Sequence, residues 1–166
     1  MQAQKIVLVT DKDSVPEYHN LNTENGKLFA FLKEKGLQVS YEIWHDENVD
    51  WSQFDAVVIK TPWDYYYRIH EFTAWLDKLE RIGSYVLNPI KMLRWNSDKI
   101  YFKDMEKEGV KLVSTIWLEQ GQNFDVEKIF AELNTDKIIV KPRVSGGAKH
   151  TYALNKEEAL ARKRGN

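Results

Sequence analysis

Apolar and polar positions along this chain follow two rhythms, one of period two and one near 3.6. Ile6-Val7-Leu8-Val9 and Val57-Val58-Ile59 are short, unbroken, β-branched runs, as expected of parallel strands buried on both faces. Between them, Thr23 to Lys35 carries Leu28, Phe29, Phe31 and Leu32 and is followed by Gly36, which predicts a helix with a glycine stop. Val39, Tyr41 and Ile43 alternate as in a less buried strand. The polar crossover from Trp44 to Phe54 is too short for a full helix and predicts one helical turn near Trp51 to Phe54, packing two aromatics on the sheet. Ile69, Phe72, Leu76 and Leu79 form a helical stripe that Trp75 and Ile82 widen and Gly83 ends. A short strand at Tyr85 to Leu87 is stopped by Asn88-Pro89, because proline lacks the donor a ladder needs.

The second half predicts a helix that Ser97 caps and Gly109 ends, then a strand from Lys111 to Leu118. Val126, Ile129, Phe130 and Leu133 stand at i, i+3, i+4 and i+7, an amphipathic helix. A strand at Ile138 to Lys141, a glycine loop and a strand at His150 to Leu154 make a hairpin, and a helix starts at Lys156. The sum is an α/β chain in two lobes, a parallel sheet over residues 1–88 and a small α+β lobe over residues 89–166.

Composition narrows the function classes. In 166 residues, 43% apolar and 30% charged with six Trp and eight Tyr, there is mass for a core, and disorder is excluded. Basic and acidic side chains balance, 24 against 25 with a net charge of −1, which removes the electrostatic case for nucleic acid or an acidic membrane. Arg162-Lys163-Arg164 is too short to restore it. No apolar run approaches the roughly 20 residues that span a bilayer, and the N-terminus does not read as a signal peptide, so the cytoplasm is the expected compartment. With no cysteine there are no disulfides, thiolate metal sites or cysteine nucleophiles.

Several motifs fail on inspection. Asp11-Lys12-Asp13 begins like a calcium loop, but its sixth position is Pro16 where glycine is needed. His19, His45, His70 and His150 lack ligand spacing. Lys60 ends the third strand where a receiver domain would carry its aspartate.

The segment richest in chemistry is Val140-Lys141-Pro142-Arg143-Val144-Ser145-Gly146-Gly147-Ala148-Lys149. Glycines admit positive φ and close backbone approach, so successive N–H groups can form an anion nest, with Lys141 and Lys149 adding charge. The competing reading is an ordinary hairpin whose Gly-Gly makes the turn. Neither the G-x-x-x-x-G-K-[ST] spacing nor the G-x-G-x-x-G spacing occurs. A second candidate site lies at the carboxyl ends of the first-lobe strands, where open α/β sheets place their crevice. Asp11 and Asp13 follow the first strand there, and Thr61, Trp63, Asp64, Tyr65 and Arg68 follow the third; the competing reading is loop structure and local packing.

A glycine loop inside a hairpin resembles the ATP-grasp superfamily. Trp95-Asn96-Ser97-Asp98-Lys99 resembles that family's Asp-Lys helix start, and Ile139-Val140-Lys141-Pro142 its Val-Lys-Pro strand. Thr61-Pro62-Trp63-Asp64-Tyr65 and Leu87-Asn88-Pro89 are similar to a glutathione-synthetase-like subgroup that includes the cycloserine cyclo-ligases. The resemblance implies a Rossmann-like pre-ATP-grasp lobe followed by an incomplete first ATP-grasp subdomain. It implies that Lys99 and Lys141 bind ATP, that Ser145, Gly146 and Gly147 cover its phosphates with Lys149 nearby, and that Asp11, Trp63, Asp64 and Tyr65 face the acceptor substrate.

The reaction so implied is carboxylate activation by Mg-ATP as an acyl-phosphate, then transfer to an amine, with ATP and a small carboxylate or amine as partners. In that family the adenine hinge, the magnesium ligands and the arginine for the acyl-phosphate all follow the hairpin. This chain is therefore expected to hold part of the cleft, to carry no catalytic or metal residues of its own, to bind ATP weakly or not at all, and to show no turnover alone. Self-association through an uncovered apolar face is a further expectation. A stand-alone, non-catalytic binding module using the Trp63 to Tyr67 aromatics is the alternative from another class.

Overall fold

A computed structural model describes residues 4–164 and divides the chain into two compact units, with the divide between Ser97 and Asp98. The first unit is a parallel sheet with helices on both faces. Its strands are β1 (Lys5–Thr10), β2 (Gln38–Ile43), β3 (Ala56–Thr61) and β4 (Val86–Leu87), in the order β2-β1-β3-β4. The register pairs Val7 with Ser40 on one side and with Val57 on the other, which puts β1 at the centre.

That central place explains the unbroken apolar run in β1, since both of its faces are covered. Val7 and Val9 join Trp44, Trp51, Val57, Phe72, Trp75, Leu76 and Leu79 in one core cluster. Leu8 points the other way, to Tyr18 and Val39, with Leu28, Phe29 and Leu32 packed alongside. The first face is covered by α2 (Ile69–Arg81) and the second by α1 (Glu24–Glu34). Full burial of Leu76 and Leu79 contributes about 1.5–3 kcal/mol each.

The single turn expected in the β2 to β3 crossover is a 3-10 turn at Trp51–Gln53, opened by Asp50, whose carboxylate accepts the Ser52 N–H. Trp51 is buried and Phe54 packs beside it. Ile82 departs from the expected stripe: α2 ends at Arg81, so the buried stripe stops at Leu79 and Ile82 is exposed.

Beyond β4 the structure corrects the expected helix start. A short helix, α3 (Ile90–Asn96), precedes Ser97, and Ser97 closes it by donating its hydroxyl to the Arg94 carbonyl. Ile90 and Leu93 pack on the first core, and Arg94 pairs with Asp77 and Glu80 of α2, so α3 belongs with the first unit.

In the second unit Asp98 accepts the Ile100 N–H and leads into α4 (Tyr101–Lys107), which Gly109 at φ 82° ends. The strand expected at Lys111 to Leu118 has no ladder among the described residues: the segment runs without a pairing strand, and Val113 is exposed. Helix α5 (Val126–Leu133) is capped by Asp125, which accepts the Glu127 and Lys128 N–H groups. Strands β5 (Lys137–Val140) and β6 (Tyr152–Asn155) pair antiparallel, with Ile138 opposite Leu154. Those two residues pack under Val126 and Phe130 of α5 and Ala159 and Leu160 of α6 (Lys156–Arg164), forming a small separate core.

Candidate functional site

The glycine loop occupies residues 141–151, between the end of β5 and the start of β6. It is much longer than the two-residue turn a Gly-Gly pair makes, and it folds on itself. The Lys149 N–H donates to the Gly146 carbonyl, the Thr151 N–H to the Ala148 carbonyl, and the Ser145 hydroxyl to the Lys149 carbonyl. Gly147, Ala148 and His150 all have φ near 56°. For Ala148 and His150 that conformation costs roughly 1–2 kcal/mol each, so the loop holds a shape its residues do not adopt by default.

Lys99 is brought onto this loop across 44 positions of sequence. Its Nζ donates to the carbonyls of Arg143 (3.1 Å) and Ser145 (3.0 Å), while its backbone N–H also donates to Arg143. Burial pushes the Lys99 ammonium below its ordinary pKa, the positive charge of Lys141 pushes the same way, and Asp98 opposes both. Lys141 is exposed, with its ammonium 5.6 Å from the Phe102 ring centre. The two lysines paired by resemblance thus share one electrostatic neighbourhood. Within it Lys99 holds loop carbonyls and Lys141 stands open.

Asp98 and Arg143 complete the arrangement, and sequence reasoning gave neither of them a site role. Arg143 Nε and Nη2 reach Asp98 Oδ1 and Oδ2 at 3.1 and 2.7 Å, a two-pronged pair, and Glu119 lies 3.7 Å from the same guanidinium. Burial pushes the Asp98 carboxyl up, but the Arg143 hydrogen bonds, the Ile100 N–H and the charges of Arg143 and Lys99 together hold it below its ordinary pKa. The available signal was proximity to a candidate lysine: Asp98 directly precedes Lys99, and Arg143 stands two positions after Lys141. Ser145, Gly146 and Gly147 lie at the bend, with Gly147 exposed, and Lys149 is exposed at its far side.

Asp11, Trp63, Asp64 and Tyr65 lie in the first unit, at the carboxyl ends of β1 and β3, where the strand order reverses around β1. Asp11 is buried and accepts the Ser14 N–H at 2.7 Å, so its carboxylate opens a 3-10 turn at Val15–His19. Thr10, Thr61 and Tyr18 join hydroxyls at 2.8 and 3.0 Å beneath it; burial raises the Tyr18 pKa above its ordinary value, against the two threonine hydrogen bonds. Asp64 accepts the buried Trp44 indole N–H at 2.6 Å and lies 3.4 Å from His45, a neighbour that sequence spacing did not single out. Tyr65 packs on Phe72. Trp63 and Tyr67 are each 56% exposed, the open aromatic surface of this edge.

A surface depression of about 730 Å³, lined by Phe130, Asn134, Asp136 and Lys156 among others, takes in none of these residues.

Residues 6–88 match the family described as D-cycloserine synthetase DcsG, N-terminal domain. Cycloserine biosynthesis protein DcsG of Streptomyces lavendulae is 30% identical over 118 residues, 71% of this chain and 38% of that protein. The crystal structure of D-cycloserine synthetase DcsG is similar with a TM-score of 0.80 and 27% identity, over 96% of this chain and 53% of that one. The chain spans about half or less of the length of these relatives.

Proposed function

The chain belongs to the family of the D-cycloserine synthetase DcsG N-terminal domain, and on that premise we propose that it is part of an ATP-dependent carboxylate-amine ligase of the ATP-grasp superfamily, carrying one side of the nucleotide cleft. The observation that carries this reading is the convergence of Lys99 and Lys141 on the folded glycine loop. A polyphosphate needs cations and backbone donors on a preformed surface, and loop 141–149 supplies both. Lys141 is the open cation there, and Ser145, Gly146, Gly147 and Lys149 shape and flank the bend.

In the proposed reaction a carboxylate oxygen bonds to the γ-phosphorus as the bond to the β-phosphate oxygen breaks, releasing ADP. An amine then displaces phosphate from the acyl carbon. Charge developing on the phosphoryl group must be neutralised, which is where a metal ion and cations contribute most. Among the described residues no three His, Asp or Glu come together as a metal-ion ligand set, and Asp98 is committed to Arg143 and Ile100. No described residue is assigned to magnesium, and no step is routed through it. The Trp63 and Asp64 edge, shaped by Asp11 and Tyr65, is assigned to the small carboxylate or amine. We place the protein in the cytoplasm, with no nucleic-acid or membrane partner; no helix among the described residues is long and apolar enough to cross a bilayer.

Calorimetric titration of Mg-ATP into the 166-residue chain and its Lys141→Ala variant tests the assignment. The expected result is weak binding, in the millimolar range, that Lys141→Ala reduces further, with no ADP release when carboxylate and amine are added. Tight binding indifferent to Lys141→Ala, or substrate-dependent ATP consumption, would overturn it.

A further inference from the structure

We infer that Asp98 and Arg143 are positioning residues that clamp the glycine loop to the start of α4, fixing the loop carbonyls on Lys99 and leaving Lys141 as the cation free to meet a phosphate. The inference deepens the reading of loop 141–149 as the phosphate-binding element and rests on it. Three contacts of different kinds tie the same two segments together: the two-pronged Asp98 to Arg143 pair, the Lys99 N–H on the Arg143 carbonyl, and the Lys99 ammonium on the carbonyls of Arg143 and Ser145.

Each contact constrains something different. The planar guanidinium matches both carboxylate oxygens, so it fixes direction as well as distance, which a lysine at position 143 would not do. Arg143 is thereby held by its side chain and by its carbonyl at once, immediately before the bend. The conformation so fixed is one the loop does not reach by default, because Ala148 and His150 sit at positive φ. An ammonium has three donors, and two of those on Lys99 are spent inside the loop. A phosphate arriving at the bend therefore meets Lys141 and the exposed backbone first, and Lys99 acts on it through the loop it holds. Glu119, 3.7 Å from Arg143, is a weaker third anchor.

Amide hydrogen exchange of the full chain, without ligand, tests the clamp apart from nucleotide binding. Arg143→Met and Asp98→Asn are expected to speed exchange roughly tenfold or more at amides of residues 144–151, leaving β1 and β3 protected. Asp98→Glu, which keeps the carboxylate, is expected to recover most of the protection, and Arg143→Lys much less of it. Unchanged loop exchange in both Arg143→Met and Asp98→Asn, or equal behaviour of Asp98→Glu and Asp98→Asn, would overturn the inference. Adding Mg-ATP to the wild type separates the two readings: loop exchange that responds to Arg143→Met but stays indifferent to the nucleotide would sustain the clamp and count against the phosphate assignment.

Discussion

The Lys99 ammonium is turned onto the loop carbonyls of Arg143 and Ser145, which sets it apart from the exposed Lys141. Asp98 is where that arrangement becomes measurable. Its carboxyl is more acidic in the folded chain than in the unfolded one, so its contribution to stability is present above the ordinary aspartate pKa of about 3.9. That contribution is lost as pH falls through the lower folded value. An NMR titration of the Asp98 carboxyl carbon is expected to place its midpoint below the ordinary value in the wild type. In Arg143→Met the midpoint is expected to rise, since burial then acts with its main opponent removed. A midpoint indifferent to Arg143 would mean that the pair seen in the structure is not formed in solution. None of this was legible in the sequence, because Asp98 and Arg143 stand 45 positions apart and no periodicity links a helix entry to a loop.

At the scale of elements, legibility followed the strength of the pattern. The runs of β1 and β3 and the stripe of α2 were readable because burial on a fixed face forces periodicity. Helix α3 was missed because Ile90-Lys91-Met92-Leu93 presents too short a stripe, and its ties run to α2 through Arg94. The segment 111–118 reads as a strand by propensity, but a strand needs a ladder partner, and none pairs with it among the described residues. Helix α1 offers a test of packing against propensity. Thr23 caps it by accepting the Gly26 N–H, and Gly26 lies so close to the preceding turn that a Cβ would stand 2.1 Å from the Asn20 carbonyl oxygen. Propensity alone favours Gly26→Ala by up to about 1 kcal/mol. The backbone clash outweighs that gain, so a net loss of about 3 kcal/mol is expected. Urea unfolding followed by tryptophan fluorescence, which reports on the buried Trp44 and Trp51, checks the sign. A stabilised variant would show that the turn before α1 is loosely packed.

For the whole molecule, the division of labour matters more than either unit's shape. The family match covers residues 6–88, within the first unit, whereas the cations and glycine loop that carry the nucleotide reading lie in the second. That the first unit holds parallel strands followed from the hydrophobic pattern, whereas their order β2-β1-β3-β4 did not. The inward turn of Asp11 and Tyr65 did not, because which way a loop side chain faces depends on partners such as Ser14 and Phe72. Trp63 and Tyr67 leave an exposed aromatic surface on the first unit. The most direct measurement of the central claim is an amide-resolved NMR titration of the full chain with Mg-ATP, carried into the millimolar range. The expected result is saturable shifts concentrated at residues 141–149 and Lys99, lost in Lys141→Ala and absent from the β1 and β3 edge. Shifts confined to the first unit, or a loop unmoved at saturating nucleotide, would contradict the claim.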